Sequence, residues 1–149
     1  METGNKDLKR SVYNNLGLAY NSLGEFRKAL EFCQLSLPIA IETGNKTLKG
    51  KVYYNLGGVH NSLGDFRKAM EFYQLSLPIA IETGDKCLEG AVYNNLSSGC
   101  KSLGDVRKAI EFCQTSRNIV TETGEKVSEA ICYCNLAVLL YLEDRKSVV

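Results

Sequence analysis

One segment recurs along the chain at a fixed interval, and this period restricts the possible folds more than any other feature. The same asparagine returns at equal spacing, as Asn15, Asn55, Asn95 and Asn135. A Leu-Gly pair returns at the same interval, beginning at Leu23, Leu63 and Leu103. A fixed period of roughly 20 to 50 residues is typical of arrays in which each repeat packs on its neighbours. Residues 1–149 are therefore predicted to form a single array, with repeats at about 9–48, 49–88 and 89–128 and a partial repeat at 129–149.

Each repeat contains two amphipathic patterns of helical period. In the first repeat, Val12, Leu16 and Tyr20 belong to the apolar face of the first pattern, and Ala29 and Cys33 to that of the second. Glycines that can end a helix in the left-handed conformation follow the patterns, at Gly24, Gly44, Gly64, Gly84, Gly104 and Gly124. The prediction is an all-α fold of antiparallel helix pairs, with about three and a half repeats.

The two ends of the chain depart from whole repeats. Residues 2–8 largely match residues 42–48, so we expect the chain to open on the tail of a repeat. Residues 129–149 contain a first helix and stop about where the second helix should begin.

Charge and hydropathy argue against several kinds of partner. The chain has 18 lysines and arginines against 17 aspartates and glutamates, without the basic excess of a nucleic-acid-binding surface. The N-terminus has no signal-peptide pattern, and no stretch approaches the roughly 18 apolar residues that a membrane span needs. We therefore expect a protein or peptide partner, and neither nucleic acid nor a membrane.

The six cysteines lack the C-x-x-C pairs of zinc or dithiol sites. Cys33 and Cys113 stand where the second repeat has Tyr73, which predicts buried positions in the helix core. Reduced thiols, a cytoplasmic location and the absence of metals and cofactors are the corresponding expectations.

The residues resemble a tetratricopeptide repeat. The family pattern of a large aromatic residue, Leu-Gly, tyrosine and alanine is matched by Tyr13, Leu16-Gly17, Tyr20 and Ala29. The period of 40 exceeds the usual period of about 34. It is similar to that of Pins/LGN-type G-protein-signalling modulators and, more distantly, of kinesin light chains. The resemblance implies a right-handed superhelical solenoid whose first helices line a concave groove, and hence a scaffold or adaptor.

Polar residues of the first helices form the candidate peptide-binding groove. They are Asn14, Asn15, Asn21, Lys51, Tyr54, Asn55, Asn61, Asn94, Asn95, Lys101 and Asn135. An asparagine amide offers donors and an acceptor, which suit the N–H and C=O groups of an extended peptide. The alternative is that these asparagines bond to the neighbouring helix and stabilise the stack.

No pair of nucleophile and base is found, so we predict that the chain is not an enzyme. The only histidine, His60, takes the place of the repeat's tyrosine on the face between helices. An alternative function is self-association. It would use an apolar patch on the last helix, formed by Tyr133, Leu136, Leu140 and Leu142.

A basic pair begins each second helix, at Arg27-Lys28, Arg67-Lys68 and Arg107-Lys108. We expect these pairs to form a solvated outer face, with ion pairs to Glu31, Glu71 and Glu111 along the same helices. The alternative is a docking strip for an acidic partner.

Overall fold

The computed structural model describes residues 2–148. Over this range the chain is helical except at its turns, so the predicted all-α fold is confirmed. The helices are α1 (Glu2–Ser22), α2 (Phe26–Glu42), α3 (Lys46–Ser62), α4 (Phe66–Thr83), α5 (Lys86–Ser102), α6 (Val106–Thr123) and α7 (Lys126–Ser147). None of the helices within residues 2–148 has both the length and the apolar character needed to span a bilayer.

The chain divides after Thr83 into two compact units. In unit 1, which holds α1 to α4, α1 packs on α2 and α3 packs on α4, while α3 also contacts α2 and α1. In unit 2, which holds α5 to α7, α6 packs against both α5 and α7. The chain thus forms the predicted helix pairs, whereas the repeat boundaries and the assembly into a single array stay predictions.

Each turn after a helix contains a glycine in the left-handed conformation, as predicted. The φ angles lie between 65° and 86° at Gly24, Gly44, Gly64, Gly84, Gly104 and Gly124. Aspartates then cap two of the second helices, because Asp65 accepts from the backbone N–H of Lys68 and Asp105 from that of Lys108. Glu25 does not cap α2. Its carboxylate instead binds Lys28 at 2.7 Å.

The first and last helices differ from their equivalents. Helix α1 begins at Glu2, so Gly4 is helical, whereas Gly44 follows the end of α2 in the left-handed conformation. The expectation that residues 2–8 repeat the end of a unit is therefore wrong for the local structure. Helix α7 extends to Ser147 because this part of the sequence has no glycine to end it.

The apolar residues expected to form an exposed patch on α7 have two different environments. Tyr133 and Leu140 are 52% and 50% exposed. Leu136 is only 8% exposed, and Leu142 is half-buried. The prediction was wrong for Leu136, since its place on the helix turns it into the core of unit 2 rather than toward solvent.

A buried serine joins the two helices of each repeat. Its hydroxyl donates to a backbone carbonyl of the first helix, from Ser36 to Arg10 at 3.2 Å, from Ser76 to Gly50 at 2.8 Å and from Ser116 to Gly90 at 2.8 Å. All three serines are fully buried. A buried hydroxyl without a partner is costly, so this bond favours one alignment of the two helices. Sequence reasoning missed it, although the serine recurs with the period of the repeat.

At one contact between the two helices of a repeat, a large side chain on the second helix requires a glycine on the first helix. A Cβ on Gly57 would lie 2.5 Å from the ring of Tyr73, so only glycine fits in α3. In the third repeat Ser97 stands at this position, and the smaller Cys113 replaces the tyrosine. The Ser97 hydroxyl donates to the carbonyl of Ala109 at 2.6 Å.

Two cysteines predicted to fill the helix core do so. Cys33 and Cys113 are both completely buried. Burial raises the pKa of the Cys33 thiol to about 11, and the pKa of Cys113 also rises for the same main reason. Both side chains are therefore neutral, apolar fillers.

Replacing Gly57 by alanine should lower the free energy of unfolding by roughly 1–3 kcal/mol, since the new methyl group overlaps the Tyr73 ring. Gly58→Ala is the matched control, because the nearest atom to its Cβ lies 4.0 Å away. That variant should be neutral or up to about 1 kcal/mol more stable. Urea unfolding followed by circular dichroism measures both, and equal stability of the two variants would contradict the packing argument.

Candidate functional site

The first helices of each unit are joined by a pair of asparagine side chains. In unit 1, Nδ2 of Asn55 on α3 donates to Oδ1 of Asn14 on α1 at 2.7 Å. In unit 2, Nδ2 of Asn135 on α7 donates to Oδ1 of Asn94 on α5 at 3.1 Å. The same bond therefore occurs twice, between equivalent residues. The recurring asparagine of the sequence is the donor in both.

Each amide pair keeps groups that can bind a ligand. Within residues 2–148, no hydrogen bond is made by Oδ1 of Asn55 or by Nδ2 of Asn14. The same holds for Oδ1 of Asn135 and Nδ2 of Asn94. A pair thus presents an acceptor and a donor close together, which is the combination needed by a peptide backbone.

The other predicted groove residues differ in exposure. In unit 1, Asn15, Lys51 and Asn61 are exposed. In unit 2, Lys101 is exposed and Asn95 is half-buried. Among the predicted residues that the structure describes, side-chain hydrogen bonds join only the two amide pairs.

Tyr54 and Asn21 are half-buried rather than open. The ring of Tyr54 lies 5.9 Å from that of Tyr73, so this tyrosine also packs against α4. Oδ1 of Asn21 is buried and has no hydrogen-bond partner among the described residues. Only part of each side chain is thus available to a ligand.

Exposed apolar residues lie beside the asparagines of the amide pairs. Ile131 and Val138 on α7 are 49% and 48% exposed. They lie four residues before and three residues after Asn135, so they share its side of the helix. Leu18 on α1, which is 43% exposed, follows Asn14 by four residues and lies beside it in the same way. Their helical spacing from the asparagines can be read from the sequence.

His60 is a packing residue, as predicted. It is 6% exposed and stacks on Phe72, with ring centroids 5.3 Å apart. Tyr20 stacks on Phe32 in the same way in the first repeat, at 5.4 Å. Burial lowers the pKa of His60 below its ordinary value, and the positive charge of Lys68 lowers it further. The imidazole is therefore a neutral ring that replaces the phenol of the tyrosine.

The basic pairs of the second helices do not form the expected ion pairs. Lys28 binds Glu25, and Arg107 binds Glu143 on α7 at 2.9 Å. Within the described range, no ion pair joins these arginines and lysines to Glu31, Glu71 or Glu111. The expected ion pairs were wrong, because other carboxylates bind Lys28 and Arg107. The expected solvated face is confirmed, since all six basic side chains are exposed. Among the same residues, no group of three or more His, Cys, Asp or Glu could hold a metal ion.

This arrangement defines a helical-hairpin repeat protein with a polar face on its first helices. Residues 9–82 match the model of the tetratricopeptide repeat family. The helix pairs of the described residues thus have the tetratricopeptide-repeat fold. No curated protein matches the sequence.

Solved structures share this fold at low sequence identity. The TPR domain of Arabidopsis FLU has a TM-score of 0.74 and 20% identity, over 78% of this chain and 98% of that domain. The apo form of RapI has a TM-score of 0.85 and 15% identity, over 94% of this chain and 51% of RapI, so the chain spans about half of that protein. The TPR-like repeats of a putative kinesin light chain from Podospora anserina have a TM-score of 0.73 and 18% identity, over 93% of this chain and 68% of that chain.

Replacing Asn55 by alanine should destabilise unit 1, because it removes the bond to Asn14. The expected loss is about 1 kcal/mol in the free energy of unfolding. Asn61→Ala is the matched control, since the side chain of Asn61 is exposed on the same helix and makes no hydrogen bond to a described residue. Both substitutions raise the helix propensity by the same amount. The difference in the free energy of unfolding between the two variants therefore measures the contribution of the Asn55–Asn14 hydrogen bond. If thermal or urea unfolding gives the two variants equal stability, the amide pair does not hold the helices together.

Proposed function

We propose that the chain is a non-enzymatic adaptor that binds a peptide segment of a partner protein on the first helices of its repeats. The observation that carries this proposal is the amide pair, Asn14 with Asn55 in unit 1 and Asn94 with Asn135 in unit 2. Each pair is held in place by its own hydrogen bond. The remaining donor and acceptor can then bind a peptide backbone without first being ordered.

Side chains around the amide pairs provide the selectivity. Exposed Lys51 and Lys101 favour a ligand with scattered acidic groups rather than a dense anionic cluster. Leu18, Ile131 and Val138 offer apolar contacts beside the asparagines. We therefore expect the partner segment to be mixed, with a few apolar side chains and one or two carboxylates.

We further propose that the protein acts in signalling and lies in the cytoplasm. The period of 40 and its similarity to that of Pins/LGN-type proteins support the first. Six unpaired cysteines support the second, since such thiols are typical of a reducing compartment. A non-catalytic role accords with the buried, stacked position of His60.

The test uses a substitution that preserves the amide pair but removes its free donor. In Asn14→Asp with Asn94→Asp, each carboxylate still accepts from Asn55 or Asn135 but offers no N–H to a ligand. Peptides selected from a random library against the unaltered chain should bind this variant roughly tenfold more weakly, as measured by fluorescence anisotropy.

The control makes the same chemical change on the second helices. Gln34→Glu with Gln114→Glu adds the same two negative charges at exposed positions of α2 and α6. This control should bind within about twofold of the unaltered chain, and circular dichroism should show all variants folded. Equal peptide affinity of the two double variants would refute binding at the amide pairs.

A second candidate function is self-association, and the exposed face of α7 favours it. Tyr133 and Leu140 are about half exposed and lie on one side of the helix. They occupy the places of Tyr13 and Tyr20, which pack against Phe32 in the first repeat. An aromatic and aliphatic surface that is covered in one repeat and open in another is suited to contact with a second copy.

Sedimentation equilibrium over a range of protein concentrations separates the two functions. If the chain self-associates, Leu140→Glu should shift it to monomer, because a charge is then placed on the contact surface. Val127→Glu is the control, since Val127 is 76% exposed and lies on another side of α7. A wild-type chain that stays monomeric at the highest concentration rules out self-association and leaves peptide binding.

A further inference from the structure

A cavity of about 380 Å³ lies in unit 1, between the turn that joins α1 to α2 and the end of α3. It is lined by Gly24, Glu25, Phe26, Arg27, Lys28 and Leu63. Leu63 is 42% exposed, and Leu23 on the adjoining turn is 72% exposed. The surface around this cavity is therefore rich in apolar groups, with basic side chains at its edge.

Unit 2 contains an equivalent cavity of about 310 Å³. Its lining residues are Gly104, Asp105, Val106, Arg107, Glu143, Lys146 and Ser147. Residues 104–107 stand two periods after residues 24–27 of the first cavity. Glu143 likewise stands two periods after Leu63. The two cavities are thus the same place in two repeats, with different chemistry on one wall.

In unit 2, side chains of α7 bind the groups that line the cavity. Nε of Arg107 donates to the carboxylate of Glu143 at 2.9 Å. Nζ of Lys146 donates to the carbonyl of Gly104 at 3.1 Å. The last turns of α7, which extend past the end of a normal first helix, therefore bring a carboxylate onto the arginine.

In unit 1 the same arginine has no such partner. Arg27 is exposed and forms no ion pair within residues 2–148. Leu63 occupies the place of Glu143, so the wall that provides a carboxylate in unit 2 is apolar here. Lys28 is engaged by Glu25 at 2.7 Å and lies over the ring of Tyr20 at 5.3 Å. Arg27 is thus the cation that is available for a ligand.

We propose that the cavity of unit 1 is a second docking site, which takes an acidic peptide segment in which an apolar side chain stands next to a carboxylate. The apolar side chain enters between Phe26 and Leu63. The carboxylate binds Arg27, in the way that Glu143 binds Arg107 in unit 2. Charge complementarity selects this occupant, because a guanidinium group binds carboxylates well. Arg107 binds the carboxylate of Glu143 at the equivalent place in unit 2. The site does not depend on the amide pairs of the first helices.

The experiment is an NMR titration of the isotope-labelled full chain with a panel of short capped peptides. Each peptide has one Leu, Phe or Tyr beside two Glu or Asp, and its matched control has Gln and Asn in place of the acids. We expect at least one acidic peptide to shift the amide resonances of Gly24, Arg27 and Leu63. Its neutral control should bind roughly fivefold more weakly or worse.

Two substitutions of exposed residues test the chemistry of the cavity. Arg27→Glu should weaken binding roughly fivefold or more by removing the cation. Leu63→Glu should do the same for a different reason, since it provides Arg27 with its own carboxylate, as Glu143 does for Arg107. Arg67→Glu is the control, because Arg67 is exposed but lines neither cavity, and binding should stay within about twofold.

Several results would overturn the docking site. No shift with any acidic peptide at millimolar concentration would do so, as would shifts confined to the first-helix residues near Asn14 and Asn55. Equal weakening by Arg67→Glu and Arg27→Glu would mean that only overall charge matters. Conversely, unchanged binding to Asn14→Asp supports a site separate from the amide pairs, and this outcome is independent of whether the groove itself binds peptides.

Discussion

The close contact between the two helices of a repeat is the interaction on which the rest of the structure depends. In the second repeat, a hydroxyl of α4 reaches the backbone of α3, since Ser76 bonds to the carbonyl of Gly50. About two turns later along α3, the ring of Tyr73 lies where Gly57 has no side chain. The second contact needs glycine on the first helix, and both contacts tolerate little rotation about its axis. Asn55, two residues before Gly57, lies on the opposite side of α3.

The amide pair can hold two helices together and still have groups for the ligand binding proposed above. The bond from Asn55 to Asn14 uses one donor and one acceptor of two side chains that have more of each. Cohesion between first helices and recognition of a ligand are therefore not exclusive alternatives. Asn55 is mostly buried while Asn15, at the equivalent place in α1, is exposed, so the same residue type serves mainly the first role in one repeat and can serve the second in another.

Local features of this fold could be predicted from the sequence, whereas contacts between separate helices could not. The positive φ of Gly64 and the cap formed by Asp65 depend on neighbouring residues, so their residue types were sufficient. The burial of Leu136 depends on how α7 rests on α6, which a periodic pattern with several apolar faces does not determine. The partner of Asn55 also depends on helix spacing. Likewise, Arg107 pairs with Glu143 on α7 rather than with Glu111 on its own helix, and this contact also depends on how α7 rests on α6.

Some equivalent positions keep one residue type in every full repeat, whereas at others a change of residue alters the local chemistry. The core position of Ser76 is serine in all three full repeats, because its bond to the first helix is needed each time. By contrast, Leu63 corresponds to Glu143, and this single difference changes an apolar wall into one that neutralises an arginine. Glu143 thus neutralises Arg107 in unit 2, whereas Arg27 beside Leu63 in unit 1 is exposed and forms no ion pair among residues 2–148.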